Sequence, residues 1–301
     1  MNVISQNPSQ QQLNNLLEHY QSGRLGDAEK LAVSITHKFP KHQFGWKVLG
    51  AILWQTGRSS ESVNAMRTAI ALSPKDAEAH YNLGVSLKEL GRLEEAEASY
   101  RQAIEIKPDY PEAHNNLGVI LQELGMLEEA EASYRQEIVF NPDYADAYWN
   151  LSSCEKTIRG SEHWIDKCLI ADANHWKAKL TKAALRFYLG KRDEFDNLKQ
   201  SKFNQNGYMR SFSWAFNLSH LPELHFNKWY FFDSIVKKSI TSKPFYEFGV
   251  WRASSFKYFI KIFKKGYGFD TFTGLPEDWV VGSHIEKKGT YSSDGNVPKI
   301  K

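Results

Sequence analysis

Two sets of polar residues in this 301-residue sequence lie at spacings that do chemistry elsewhere in proteins. The first is a pair of carboxylates. Glu247 ends a short apolar run, PFYEFGV (244–250), and Asp270 ends a second, YGFDTF (267–272). Between them WRASSFKYFIKIFKK (251–265) places aromatic or aliphatic residues at 256, 259, 260 and 263. That order predicts strand, tight turn, helix, strand, the opening βαβ of a nucleotide-binding open sheet whose ligands lie beyond the carboxyl ends of its strands. Gly249 lets the backbone bend under a ligand, and Ala253, Ser254 and Ser255 keep the loop small where the helix begins. Asp270, 23 residues after Glu247, is placed to accept both hydroxyls of a ribose. A Gly-rich dinucleotide fingerprint is absent, which argues against NAD. The second set is Asn14, Asn82, Asn116 and Asn150, which share one position of a 34-residue register that Val48 interrupts. An amide both donates and accepts, so a ladder of them along a groove would hold an extended peptide with little side-chain selectivity. Solvating or capping neighbouring helices is the alternative role. No Lys/Arg clamp shares the register, so capture of a C-terminal carboxylate is not expected. Cys154, His163, Cys168 and His175 lack the pair spacings of zinc modules and read as part of a capping helix with buried cysteines.

The elements that position the asparagines repeat. Pro40, Pro74, Pro108 and Pro142 are each 34 residues apart, as are Gly23, Gly57, Gly91 and Gly125. Leu49-Gly50, Leu83-Gly84 and Leu117-Gly118 keep the period, with Leu151-Ser152 as a fading copy. Ala28, Ala96 and Ala130 share another register, in which Ser62 replaces alanine. Residues 78–104 and 112–138 are identical at 22 of 27 positions, the mark of a duplication. Each unit reads as a helical hairpin. Ala79, Leu83, Leu87 and Leu90 form one face of a first helix that Gly91 ends in a left-handed turn, and LEEAEASYRQAIEI forms a second that stops near Lys107-Pro108. Ala96 is small where the helices cross, and Gly84 lets a neighbouring helix approach. This pattern closely resembles the tetratricopeptide repeat over roughly residues 9–160. The resemblance implies a right-handed α-solenoid whose concave face the four asparagines line, holding a protein or extended peptide. Residues 161–200 keep helical character without the small-residue code, as a helical cap does, and Gly190-Lys191-Arg192 reads as one more inter-helix turn.

A connector, 201–243, carries loop signals at Asn206-Gly207 and Leu221-Pro222 and one amphipathic helix through Trp229, Phe232, Ile235 and Val236. In the segment 244–301, Glu-x-Gly followed by a carboxylate at the end of the second strand is similar to class I S-adenosylmethionine-dependent methyltransferases. EFGVWRASS and GFDTFTGLPEDW, continuing into KGTYSSDG, resemble the macrocin O-methyltransferase (TylF-type) family, whose members read ExGVxxGGS and GFDSFxGLPE. By that resemblance Glu247, Gly249, Val250, Ser255, Asp270, Thr271 and Phe272 would contact S-adenosylmethionine. Ala253 and Ser254 depart from the family's glycines. The resemblance covers about 75 residues, fewer than a doubly wound domain needs, so a partial Rossmann-like α/β segment of low stability is expected, without the later strands that bind metal and substrate in that family. No catalytic or metal-ligating residue is assigned; Asp278, His284 and Glu286 read as a solvated Gly/Ser-containing loop.

Composition bounds these readings. Residues 201–301 hold 15 Lys and Arg against 8 Asp and Glu and 23 of the 41 aromatics, so the net charge of +3 joins a mildly acidic repeat region to a basic tail. The basic residues are dispersed, so nucleic acid is not an expected partner. No apolar run approaches the length of a membrane span, the N-terminus lacks the pattern of a secretory signal, and two cysteines fit a reducing cytoplasm. The expected whole is a mainly α protein: a peptide-binding scaffold fused to an incomplete methyltransferase-like segment. The alternative is a methyltransferase of sugar or small-metabolite hydroxyls, its remaining part truncated or supplied in trans.

Overall fold

The computed structural model describes residues 7–218 and, beyond them, 221, 223–239, 241–242, 245–248, 258, 261–263, 266–269, 279–281 and 284–286. It divides into two compact units, 1–223 and 224–301.

The first unit is a run of helical hairpins. The pairs are α1 (Gln10–Gln21) with α2 (Leu25–Lys38), α3 (Gln43–Gln55) with α4 (Ser59–Leu72), and α5 (Ala77–Glu89) with α6 (Leu93–Ile106). They continue with α7 (Pro111–Leu124) and α8 (Leu127–Phe140), α9 (Ala145–Cys154) and α10 (Ile158–Ala171), and α11 (Trp176–Tyr188) and α12 (Asp193–Lys199). A 3-10 turn, Lys202–Gln205, then leads to α13 (Gly207–Phe216). The turn glycines take the left-handed conformation that side chains resist, as at Gly91 (φ 69°) and Gly125 (φ 85°), and Gly190 (φ 88°) does the same at the turn between α11 and α12. The register alanines Ala28, Ala96 and Ala130 are fully buried. Ser62 is equally buried, and its hydroxyl donates to the Gly50 carbonyl at 2.7 Å and meets the Ser86 hydroxyl at 2.8 Å, so the polar replacement is satisfied. Gly84 and Gly118 serve rings rather than helix backbones: a Cβ there would lie 2.7 Å from the Tyr100 ring and 2.5 Å from that of Tyr134. Leu90 leaves the apolar face. It caps α5 and is 40% exposed, while Ala79, Leu83 and Leu87 are buried.

Three cores follow in sequence. Leu16, Ile35 and Ile52 belong to the first, Met66, Leu87, Tyr100, Leu121, Tyr134 and Leu151 to the second, and Leu180, Ala184, Phe195 and Met209 to the third. Phe212 and Phe216 of α13 pack on this last core. Asn206-Gly207 is therefore a helix start, not a loop: the Asn206 side chain accepts the Tyr208 N–H at 2.8 Å, the capping that asparagine provides.

In the second unit α14 (Lys228–Lys238) buries Phe232, with Trp229, Ile235 and Val236 beside it, against Phe263. Strands β1 (Phe245–Phe248) and β2 (Gly266–Phe269) pair in parallel, Phe245 opposite Gly266 and Glu247 opposite Gly268. Most of the helix expected over 251–265 lies outside the described residues. Strands β3 (Trp279–Val281) and β4 (His284–Glu286) pair antiparallel, Val281 opposite His284. His284 and Glu286, expected in a loop, thus lie in a strand, while Asp278 lies outside the described residues. Trp279, Val280 and Val281 are residue types that favour a strand. No described helix is long and apolar enough to cross a membrane.

Candidate functional site

One repeated side-chain bond orients the first helix of each central hairpin. Trp46 Nε1, His80 Nε2, His114 Nε2 and the Tyr148 hydroxyl each lie 2.9 Å from the carbonyl oxygen of the proline six residues earlier: Pro40, Pro74, Pro108 and Pro142. A ring with a polar tip closes each inter-hairpin turn, and the period of those residues in the sequence is the signal that finds them. Successive first helices also touch directly, α1 with α3, α3 with α5, α5 with α7 and α7 with α9, whereas no comparable approach joins successive second helices. Elements closer together lie on the inside of a curve, so the first helices form the inner face of the array.

The asparagines lie on this face with unequal roles. Asn116 Nδ2 donates to the Tyr81 hydroxyl at 3.0 Å, and Asn150 Nδ2 donates to Asn115 Oδ1 at 3.0 Å; each bond runs from one first helix to the preceding one. Both amide oxygens remain as acceptors. Asn82 is half-buried, and its amide bonds to none of the described residues. Asn14 is exposed and accepts from Gln10 Nε2 within its own helix at 2.9 Å. The ladder thus has three rungs on adjoining helices and an outlier in α1.

Acidic residues recur beside them. Glu78, Glu112 and Asp146 stand 34 residues apart in the first turns of α5, α7 and α9, where the helix N-terminus favours negative charge. Lys47 reaches Glu78 at 2.7 Å and Asp76 at 3.1 Å, while Asp76 caps α5 by accepting the Ala79 N–H at 3.0 Å. Burial alone would push the Asp76 carboxyl up, but the Ala79 N–H and the Lys47 ammonium hold it below the usual carboxylate range. Asp146 accepts from His175 Nε2 at 2.9 Å, and His175 Nδ1 accepts the Ala178 N–H at 3.1 Å, so that imidazole is a helix cap. Glu112 has no ion pair among the described residues.

Beneath this face lies a group that sequence reading missed. Glu137 of α8 is 2% exposed, and its Oε2 has no hydrogen-bond partner among the described residues. Burial, then the charges of Glu112 and Asp146, push its carboxyl up to about 8. Glu137 in turn helps to raise the phenols of Tyr81 and Tyr144, after burial and nearer carboxylates. The missed signal was a register break: Ala69, Ala103 and Ala171 hold the same repeat position.

Cys154 and Cys168 are buried thiols, each pushed up to about 12 chiefly by burial. Among the described residues no group of three or more His, Cys, Asp or Glu could hold a metal. Of the residues assigned to S-adenosylmethionine, Glu247 lies in β1, whereas Gly249, Val250, Ser255, Asp270, Thr271 and Phe272 lie outside the described residues.

Comparison with known proteins now names the array. A family model described as TPR repeat matches residues 50–91 and 86–125, and one described as tetratricopeptide repeat matches 111–143, so the chain carries tetratricopeptide repeats. Solved structures share the fold. PilF of Pseudomonas aeruginosa is 17% identical over 67% of this chain and 95% of its own, with a TM-score of 0.59. PilW, a type IV pilus biogenesis factor, is 18% identical over 68% of this chain and 99% of its own, also at 0.59. YrrB, described as a TPR protein with an unusual peptide-binding site, is 18% identical over 58% of this chain and 92% of its own, at 0.52. Comparison with curated protein sequences gives no match.

Proposed function

We propose that the chain is a scaffold that holds an extended peptide segment of a partner protein along the inner face of its repeats. The observation that carries this reading is the direct approach of α5, α7 and α9, which aligns Asn82, Asn116 and Asn150 on one face. Asn116 and Asn150 spend an N–H on the neighbouring repeat, so their oxygens would accept peptide N–H groups, while Asn82 would both donate and accept. The peptide-binding site described for YrrB, a protein of similar fold, is in line with this reading. The test is selection of random linear peptides by display on the full chain, followed by binding to the Asn82→Ala/Asn116→Ala double variant. A loss of about tenfold or more in affinity, with the melting temperature lowered by only a few degrees, is the expected result. Failure to select any peptide would end this reading, and a proportionate loss of fold stability would make the asparagines structural.

A second reading concerns 244–301 and is favoured by the parallel pairing of β1 and β2, which demands a crossover connection of the kind a βαβ unit supplies. Glu247 and Asp270 are acceptors of the kind that suits the hydroxyls of a ribose and the ammonium of an amino-acid group, so they, with Gly249, Val250, Ser255, Thr271 and Phe272, would hold S-adenosylmethionine. When bound, that cofactor supplies the methyl group for an acceptor hydroxyl. Calorimetric titration of the full chain with S-adenosylmethionine tests it: saturable heat absent in Asp270→Ala supports the site, and no heat at millimolar ligand refutes it.

A further inference from the structure

The carboxylate ladder on the inner face is neutralised unevenly. In the first interval Lys47 of α3 serves Glu78 of α5, 31 residues on, at 2.7 Å. The same interval leads from Tyr81 to Glu112 and from Asn115 to Asp146, so the register that provides a lysine once provides neutral side chains afterwards. Asp146 recovers a partner in His175, whereas Glu112 has none among the described residues. A third acid lies under the other two. Residues 78–104 and 112–138 differ at five positions, and one of these sets Ala103, a fully buried methyl, against Glu137. Helix α8, which carries Glu137, packs against both α7 and α9, the helices of Glu112 and Asp146. Its Oε2 is buried without a hydrogen-bond partner among the described residues. An unpaired acid in a slot that a methyl fills in the other central repeats destabilises the free protein, and a cation brought by a ligand would satisfy it.

We propose, building on the peptide-groove reading above, that the inner face at α7 and α9 takes a lysine or arginine side chain of the bound peptide, its cation seated at Glu112 and Asp146 above the buried carboxyl of Glu137. A neutral donor would leave the Glu137 carboxyl protonated beside the charges of Glu112 and Asp146, whereas an ammonium or guanidinium offsets those charges and bonds the ionised carboxyl. Tyr81 and Tyr144, whose phenols feel these acids, supply polar-tipped rings beside the stem of such a residue. Docking of a cation favours the ionised form of Glu137, which then gives up its proton to solvent. The groups bearing on it are Glu112 of α7, Asp146 of α9 with its partner His175, Tyr81 of α5 and Tyr144.

The test is the same display selection, run in parallel on the wild type and on Glu137→Ala, which restores the residue found at 69 and 103. Wild-type peptides should show Lys or Arg at one fixed position, and that preference should vanish with Glu137→Ala. Replacing that residue by norleucine should cost about tenfold or more in affinity for the wild type. Wild-type affinity should rise about tenfold from about pH 6 to about pH 9, and stay flat in Glu137→Gln. Peptides without a fixed basic residue, or a basic preference that survives in Glu137→Ala, would overturn the proposal while leaving the groove intact. Failure to select any peptide would overturn the groove itself.

Discussion

Glu137 separates binding from stability at the scale of one residue. An unfolded glutamate titrates near 4.3, whereas in the folded chain this carboxyl is pushed up to about 8. Between those values the folded state keeps a proton that the unfolded state releases, so raising the pH through that window favours unfolding. Its contribution is most favourable below the unfolded value and bottoms out above about pH 8. Glutamine keeps the volume and cannot ionise, and other titrating groups are common to both proteins. The stability difference between wild type and Glu137→Gln, from urea midpoints at about pH 5 and about pH 9, should therefore shift against the wild type by about 2–4 kcal/mol. An unchanged difference would mean that water reaches the carboxyl in the folded state. Single-residue differences between the duplicated copies matter elsewhere too. Gln122 accepts from the Tyr134 hydroxyl at 3.0 Å, while with Lys88 as register-mate the Tyr100 hydroxyl is buried and has no hydrogen-bond partner among the described residues.

At the scale of elements, hairpins were legible wherever the chain repeats, because a turn glycine, a stop proline and an apolar stripe recur together at every period. Helix α13 was not legible: Asn206-Gly207 carries the same residue types as a turn, and only the burial of Met209 on the α11–α12 core decides that the chain continues as a helix. The hairpin of β3 and β4 was hidden for a similar reason, since a three-residue strand is too short to show an alternating pattern. The asparagine ladder was legible as a register, but its division of labour was not. Whether an amide faces a ligand or spans to Tyr81 depends on the angle between successive first helices, which no single repeat encodes. Glu137 was visible as a residue and invisible as a site, because its acid neighbours belong to helices on either side of its own.

At the scale of the whole molecule, an array of this kind draws its stability from nearest neighbours. The three cores pass from Leu16 through Tyr134 to Phe195, and each hairpin packs on the next in chain order. The outer ion pairs follow the same rule, Arg67 to Glu95 at 2.9 Å and Arg101 to Glu129 at 2.7 Å, but they are solvent-exposed and worth about 0–1 kcal/mol each. Residues 224–301 have their own apolar cluster, centred on Phe232 and Phe263. A chain ending at Glu223 keeps these three cores and should melt within about 2 °C of the full-length protein by far-ultraviolet circular dichroism. For a unit of this size about 1 kcal/mol moves the midpoint by about 2–4 °C, so the comparison resolves a small contribution. A fall larger than about 5 °C would show that residues 224–301 stabilise the repeats, and the array would then have to be treated as one cooperative body with its C-terminal unit.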